Sequence, residues 1–270
     1  MKWGILLLQT EDQAGVAQAL MTAFQGVGLT PYDPFPGGAG TPISFKTFQR
    51  QFVTPPHEGW VRIMGDAAIN FGTDFGPSLS GVGPLLLLGF DSEKADILAF
   101  SSGEAAPLSA FLKPDATLEK LNQALNGTLP DGPAPGSAPL PDELADFARQ
   151  HGVEPGKVSG LMNRMSGIVF GKLNRQSGGE AGRLREQAGA LMGSTGPDWS
   201  SSGGRRLSAA ADLLTLPSAW RTPSFESVRD AYQVARRLER SPHASLMPDE
   251  RAAYQAIPHV LAYVPVYVGK

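Results

Sequence analysis

The chain reads as an α+β protein, an N-terminal mixed or antiparallel sheet with short helices followed by a mostly α-helical region that ends in a short strand. Three observations predict this. Apolar runs of strand length, LLL at 6–8 and PLLLLGF at 84–90, stand in the first part of the chain. Between them, Val16, Ala17, Leu20 and Phe24 recur at helical spacing. After residue 142 apolar spacing is almost entirely helical until the closing HVLAYVPVYVGK, which alternates and carries aromatic residues.

Taken in order, LLL at 6–8 reads as a buried strand and residues 13–25 as a helix stopped by Gly26 and Gly28. A Pro/Gly-rich loop follows, and its stretch PYDPFPGGAGTP lacks the lysine and hydroxyl of a phosphate-binding loop. Two strands come next, Ile43 to Val53 and Gly59 to Met64, separated by the turn TPPHEG. PLLLLGF and ADILAF flank the polar tetrad DSEK, which predicts a hairpin at the middle of a sheet. Leu108 to Leu112 and Leu118 to Leu125 supply short helices. The segment GSTGPDWSSSGGRR, residues 193–206, reads as a long loop. Phe225, Val228, Ala231, Tyr232 and Ala235 mark an amphipathic helix with Arg229, Arg236 and Arg240 on its outer side. In the last strand Pro265 lacks an N–H, which restricts it to an edge or a bulge.

A length of 270 residues suffices for one large domain or two ordinary ones, with a core that needs no staples. Hydrophobic residues make up 41% and charged residues 18%, a globular composition, while 32 Gly and 23 Pro predict many loops. Cysteine is absent, which excludes disulfides, thiolate metal sites and a cysteine nucleophile. The most linker-like stretch, TLPDGPAPGSAPLP, divides the chain into an α+β domain at 1–128, a Pro-rich linker at 129–142 and a mostly helical domain at 143–270. The net charge of −3 is unevenly spread: residues 1–128 carry 7 Lys/Arg against 12 Asp/Glu, and residues 143–270 carry 16 against 12. The closing strand leaves a second arrangement open, in which it returns to the first domain's sheet.

Within the second part, residues 144–165, LADFARQHGVEPGKVSGLMNRM, fit a helix-turn-helix pattern. Ala148 is the small residue where two helices cross, Gly152 suits the turn, and Pro155 suits the first turn of the second helix. From Arg149 to Arg206 there are 9 Lys/Arg against 4 Asp/Glu, the sign that phosphate contacts require. At about 100° per residue, however, Val158, Leu161, Met162 and Met165 form one stripe, and the opposite side presents Gly156, Gly160, Gly167 and Gly171 beside Asn163 and Arg164. A reading helix needs long donors there, so a buried helical hairpin is the favoured reading.

Catalytic and metal motifs are missing. His57, His151, His243 and His259 are not spaced as helical ligand pairs. His57 and Glu58, adjacent in a turn, are expected to point apart into solvent. Asp91, Glu93 and Asp96 cluster at the hairpin, where turn chemistry accounts for Asp91 without an ion. GPSLSG misses the nucleophile elbow by one residue, and no dinucleotide fingerprint occurs. The chain is therefore expected to be a non-enzymatic binding protein whose partner is another protein, with no catalytic residue, cofactor or metal. Arg205 and Arg206 are candidate contacts for an anion or partner. The alternative is a nucleic-acid-binding regulator using Lys157, Asn163 and Arg164. The third is an enzyme whose site is assembled from distant residues. The apolar run Trp3 to Leu8 is too short for a signal-peptide core, and no stretch of about eighteen apolar residues occurs, so a cytoplasmic location without a membrane span is expected.

Overall fold

In the computed structural model, the residues described are 3–65, 75–129 and 197–270. The chain divides into two units, residues 1–128 together with 197–270, and residues 129–196. Beyond Leu129 the second unit lies outside the described residues. So do the Pro-rich linker and the segment 144–165 with Lys157, Asn163 and Arg164.

The first unit is α+β, built on an eight-stranded sheet whose paired strands all run antiparallel. Its strands are β1 (Trp3–Gln9), β2 (Thr30–Pro31), β3 (Phe48–Val53), β4 (Trp60–Gly65), β5 (Leu85–Phe90), β6 (Ala95–Ser101), β7 (Glu104–Ala105) and β8 (Val264–Gly269). Their order is β2-β8-β3-β4-β1-β5-β6-β7. The described α-helices are α1 (Gln13–Gly26), α2 (Leu118–Asn126), α3 (Ser202–Ala211), α4 (Phe225–Arg240) and α5 (Pro248–Ala256).

Both faces of the sheet centre are covered, which explains why β1 and β5 read as continuous apolar runs rather than alternating ones. On one face Val16, Leu20 and Phe24 of α1 pack with Leu6, Leu8, Val61, Ile63 and Val266. A short helical turn at 75–79 adds Phe75 and Leu79 to the same core. On the other face Phe52, Met64 and Tyr267 meet Phe225, Val228 and Tyr232 of α4. Helix α3 packs on β5 and β6. Toward the edge the cover is one-sided: in β6, Ala95, Ile97 and Ala99 are buried while Asp96 and Leu98 are exposed.

The last strand joins the N-terminal sheet. β8 pairs with β3 from Phe48↔Gly269 to Val53↔Val264, so residues 197–270 fold with 1–128 instead of forming a separate helical domain with 143–196. Among the described residues β8 pairs on its outer side only with β2, at Val268 and Gly269. Pro265 therefore has no strand beside it on that side, as its missing N–H requires.

Two further expectations need correction. The β5–β6 hairpin forms, with Phe90 opposite Ala95, but stands toward one edge of the sheet, where β6 is followed only by two-residue β7. The centre belongs to β4 and β1. The supposed loop at 193–206 gives way to α3 from Ser202 onward, capped by the Ser201 hydroxyl, which accepts from Gly204 N. Its glycines serve close packing: a Cβ on Gly203 would collide with the carbonyl oxygens of Asp91 and Lys94.

Candidate functional site

Alternation along β4 sends Val61 and Ile63 toward α1, and Trp60, Arg62 and Met64 to the opposite face. Helices α3 and α4 are joined there by residues 212–224, a strap that crosses β4. Arg62 Nη1 donates to the Trp220 carbonyl of this strap at 3.1 Å. Behind it, Trp199 lies 4.9 Å from Trp3 and 5.6 Å from Trp220 between ring centroids. The Arg221 guanidinium sits 5.2 Å above Trp199. These rings hold the strap down.

Between strap and sheet lies a cleft of about 210 Å³. Arg62 stands in it with Thr54, His57, Trp60, Thr222 and Tyr263, and Pro55, Pro56, Pro217 and Pro223 complete its apolar walls. Arg62 is only 6% exposed, and among the described residues no carboxylate pairs with it. Burial pushes its pKa down to about 10, partly offset by the nearby Tyr263. A guanidinium held in that way has lost water without gaining a counter-ion. Burial also raises the pKa of Tyr263, which leaves its hydroxyl a neutral donor at pH 7.

The rim is fastened by Glu58. His57 and Trp60 exchange backbone hydrogen bonds of 2.8 and 3.0 Å around Glu58 and Gly59, whose φ angles are 52° and 79°. This is the two-residue hairpin turn with both central residues left-handed, a conformation that glycine adopts freely and glutamate does not. From there the Glu58 carboxylate accepts from both Ser218 N (2.8 Å) and Ser218 Oγ (2.7 Å) on the strap. Those bonds, the hydroxyl's first, hold its carboxyl below the usual glutamate range.

His57 and Glu58 thus converge instead of pointing apart, with Nε2 3.3 Å from Glu58 Oε1. Serine, histidine and glutamate here meet without forming a catalytic triad. His57 Nε2 faces both Ser218 Oγ, at 3.4 Å, and the carboxylate, whereas a triad needs the carboxylate on the other ring nitrogen. Ser218 already gives its proton to Glu58. The arrangement is a latch.

Arg205 is exposed, and its Nη1 donates to the Ser200 carbonyl. Arg206 packs against Gly127, which ends α2 in a left-handed conformation, φ 71°. Neither lines the cleft. Asp91 Oδ1 accepts from Glu93 N and Lys94 N at 2.9 and 2.8 Å, so turn chemistry does occupy it. Ser80 bonds Gly103 N and the Pro77 carbonyl, each at 2.9 Å. No group of three or more His, Asp or Glu suited to a metal occurs among the described residues.

A larger groove of about 640 Å³ runs along α1 past Gly15, Ala19, Thr22 and Phe75, but among the described residues no charged one lines it. Sequence reasoning passed over Arg62, although a signal existed: it is the one charge inside the apolar strand WVRIM. Tyr263, Ser218 and Trp220 carry no such mark, because the strap's path is set by tertiary packing. Comparison with protein-family models, with curated proteins and with solved structures finds no match.

Proposed function

We propose that this chain is a non-enzymatic cytoplasmic binding protein that acts through protein–protein contacts, and that the cleft over Arg62 receives one side chain of the partner. The observation that carries this reading is a buried guanidinium in an open cleft with no counter-ion among the described residues. Structural burial of an unpaired charge is costly, and a partner that supplies the missing group recovers that cost on binding. Size supports a side chain over a cofactor. About 210 Å³ is roughly seven waters' share of liquid volume and falls below the range of about 300 Å³ and upward typical of small-molecule sites. Among the described residues no helix is long and apolar enough to cross a membrane.

The test is selection of peptides from a random displayed library on the full chain, with Arg62→Met as the counter-target. Sequences that bind the parent at least about tenfold more tightly than the variant are expected. A library from which no sequence discriminates the two would refute the reading.

A further inference from the structure

The geometry points to a glutamate side chain as the group that enters the Arg62 cleft, an inference that rests on the binding reading above. Charge fixes the first step, since among the described residues the only permanently charged group in the lining is a cation. Its planar fork, with Nη1 held by the Trp220 carbonyl, matches a carboxylate. Phosphate would bring nearly twice the charge and is ordinarily met by a cluster of cations. The other nearby groups that could meet an anion are engaged: the His57 ring faces Glu58, and Arg221 lies over Trp199 and Trp220.

Depth fixes the second step. Arg62 is 6% exposed beneath walls of proline and Trp60, so the ligand must carry its charge on an apolar stem. The two methylenes of glutamate provide that stem. A chain-terminal carboxylate would instead bring its own peptide N–H, two bonds from the carboxyl carbon, down with it between walls of proline and Trp60.

The decisive experiment titrates the ¹⁵N-labelled full chain and follows the Arg62 Nε–H resonance, assigned by its loss in Arg62→Met. Butyrate stands for the glutamate side chain, butyramide for its neutral counterpart, N-acetylglycinate for a chain terminus, and inorganic phosphate for a dianion. Expected is a saturable shift with butyrate, with each of the other probes weaker by about tenfold or more. The parent-protein comparison of butyrate with butyramide needs no variant. Absence of a saturable butyrate shift, or equal or tighter binding of any other probe, overturns the proposal. The two readings fail separately. Selected peptides that depend on Arg62 but tolerate replacement of every glutamate by glutamine would overturn the glutamate and keep the binding protein. Butyrate binding without any selected peptide would do the reverse.

Discussion

Arg62 and Glu58 both bind the strap, at Trp220 and at Ser218, with opposite energetic signs. The buried guanidinium is a liability in the free protein, because its one bond to the Trp220 carbonyl does not replace a lost hydration shell. Arg62→Met, similar in length and apolar, is therefore expected to leave stability unchanged or to raise it by up to about 2 kcal/mol, read from urea midpoints. A loss of that size would mean that the guanidinium chiefly anchors the strap. Glu58 works the other way. Its carboxyl is held below the ordinary range by Ser218, so the folded chain binds fewer protons than the unfolded one as Glu58 titrates. The latch is complete at neutral pH and is lost as pH falls through that lowered value. Parent and Glu58→Gln should differ in midpoint at pH 7 and converge as the pH falls below the ordinary glutamate range and through that lowered value. A gap unchanged in acid would show that the charge of Glu58 does not fasten the strap.

At the scale of elements, the helices are set by caps and by close approach. Ser224 Oγ accepts from Ser227 N at the start of α4, and Ser224→Ala should cost about 1 kcal/mol of stability. Gly203 matters more. Its N–H donates to the Ser92 carbonyl at 3.3 Å, and the β5–β6 turn leaves no room for a methyl group. Gly203→Ala should cost about 1–3 kcal/mol, since backbone rather than a flexible side chain must yield. A denaturation midpoint equal to the parent's would show that α3 does not sit flush on the hairpin. The same pair explains the misread loop at 193–206. SSSGG has loop composition, yet Ser201 is an N-cap, and the following Leu207, Ala210, Ala211 and Leu214 are buried at helical spacing. The strand pairs β3–β4 and β5–β6 were legible because their apolar runs and turns are local.

For the molecule as a whole, the sheet is closed by a strand from the far end of the chain. Val266, Tyr267 and Val268 are each under 5% exposed and fill both faces of the sheet beside β3. Removing residues 260–270 should therefore abolish the cooperative unfolding transition, and residues 1–128 expressed alone should fail to fold. A soluble, cooperatively melting 1–128 fragment would contradict this. Replacing residues 130–196 with a Gly/Ser linker of about 20 residues, a flexible span of roughly 25 Å, should preserve the cooperative transition of the first unit.

By itself the sequence determined the α+β class, the principal hairpin, α1 and α4, because each rests on a periodicity spanning a few adjacent residues. It also determined the edge character of Pro265, which follows from a missing N–H. Only the tertiary structure decided that β8 crosses back to β3, and that a strap walls a cleft over Arg62 in which, among the described residues, no carboxylate meets it. Such contacts join residues 158 or more positions apart. They depend on which surfaces remain uncovered once the local elements have formed, a property of packing that no window of sequence contains.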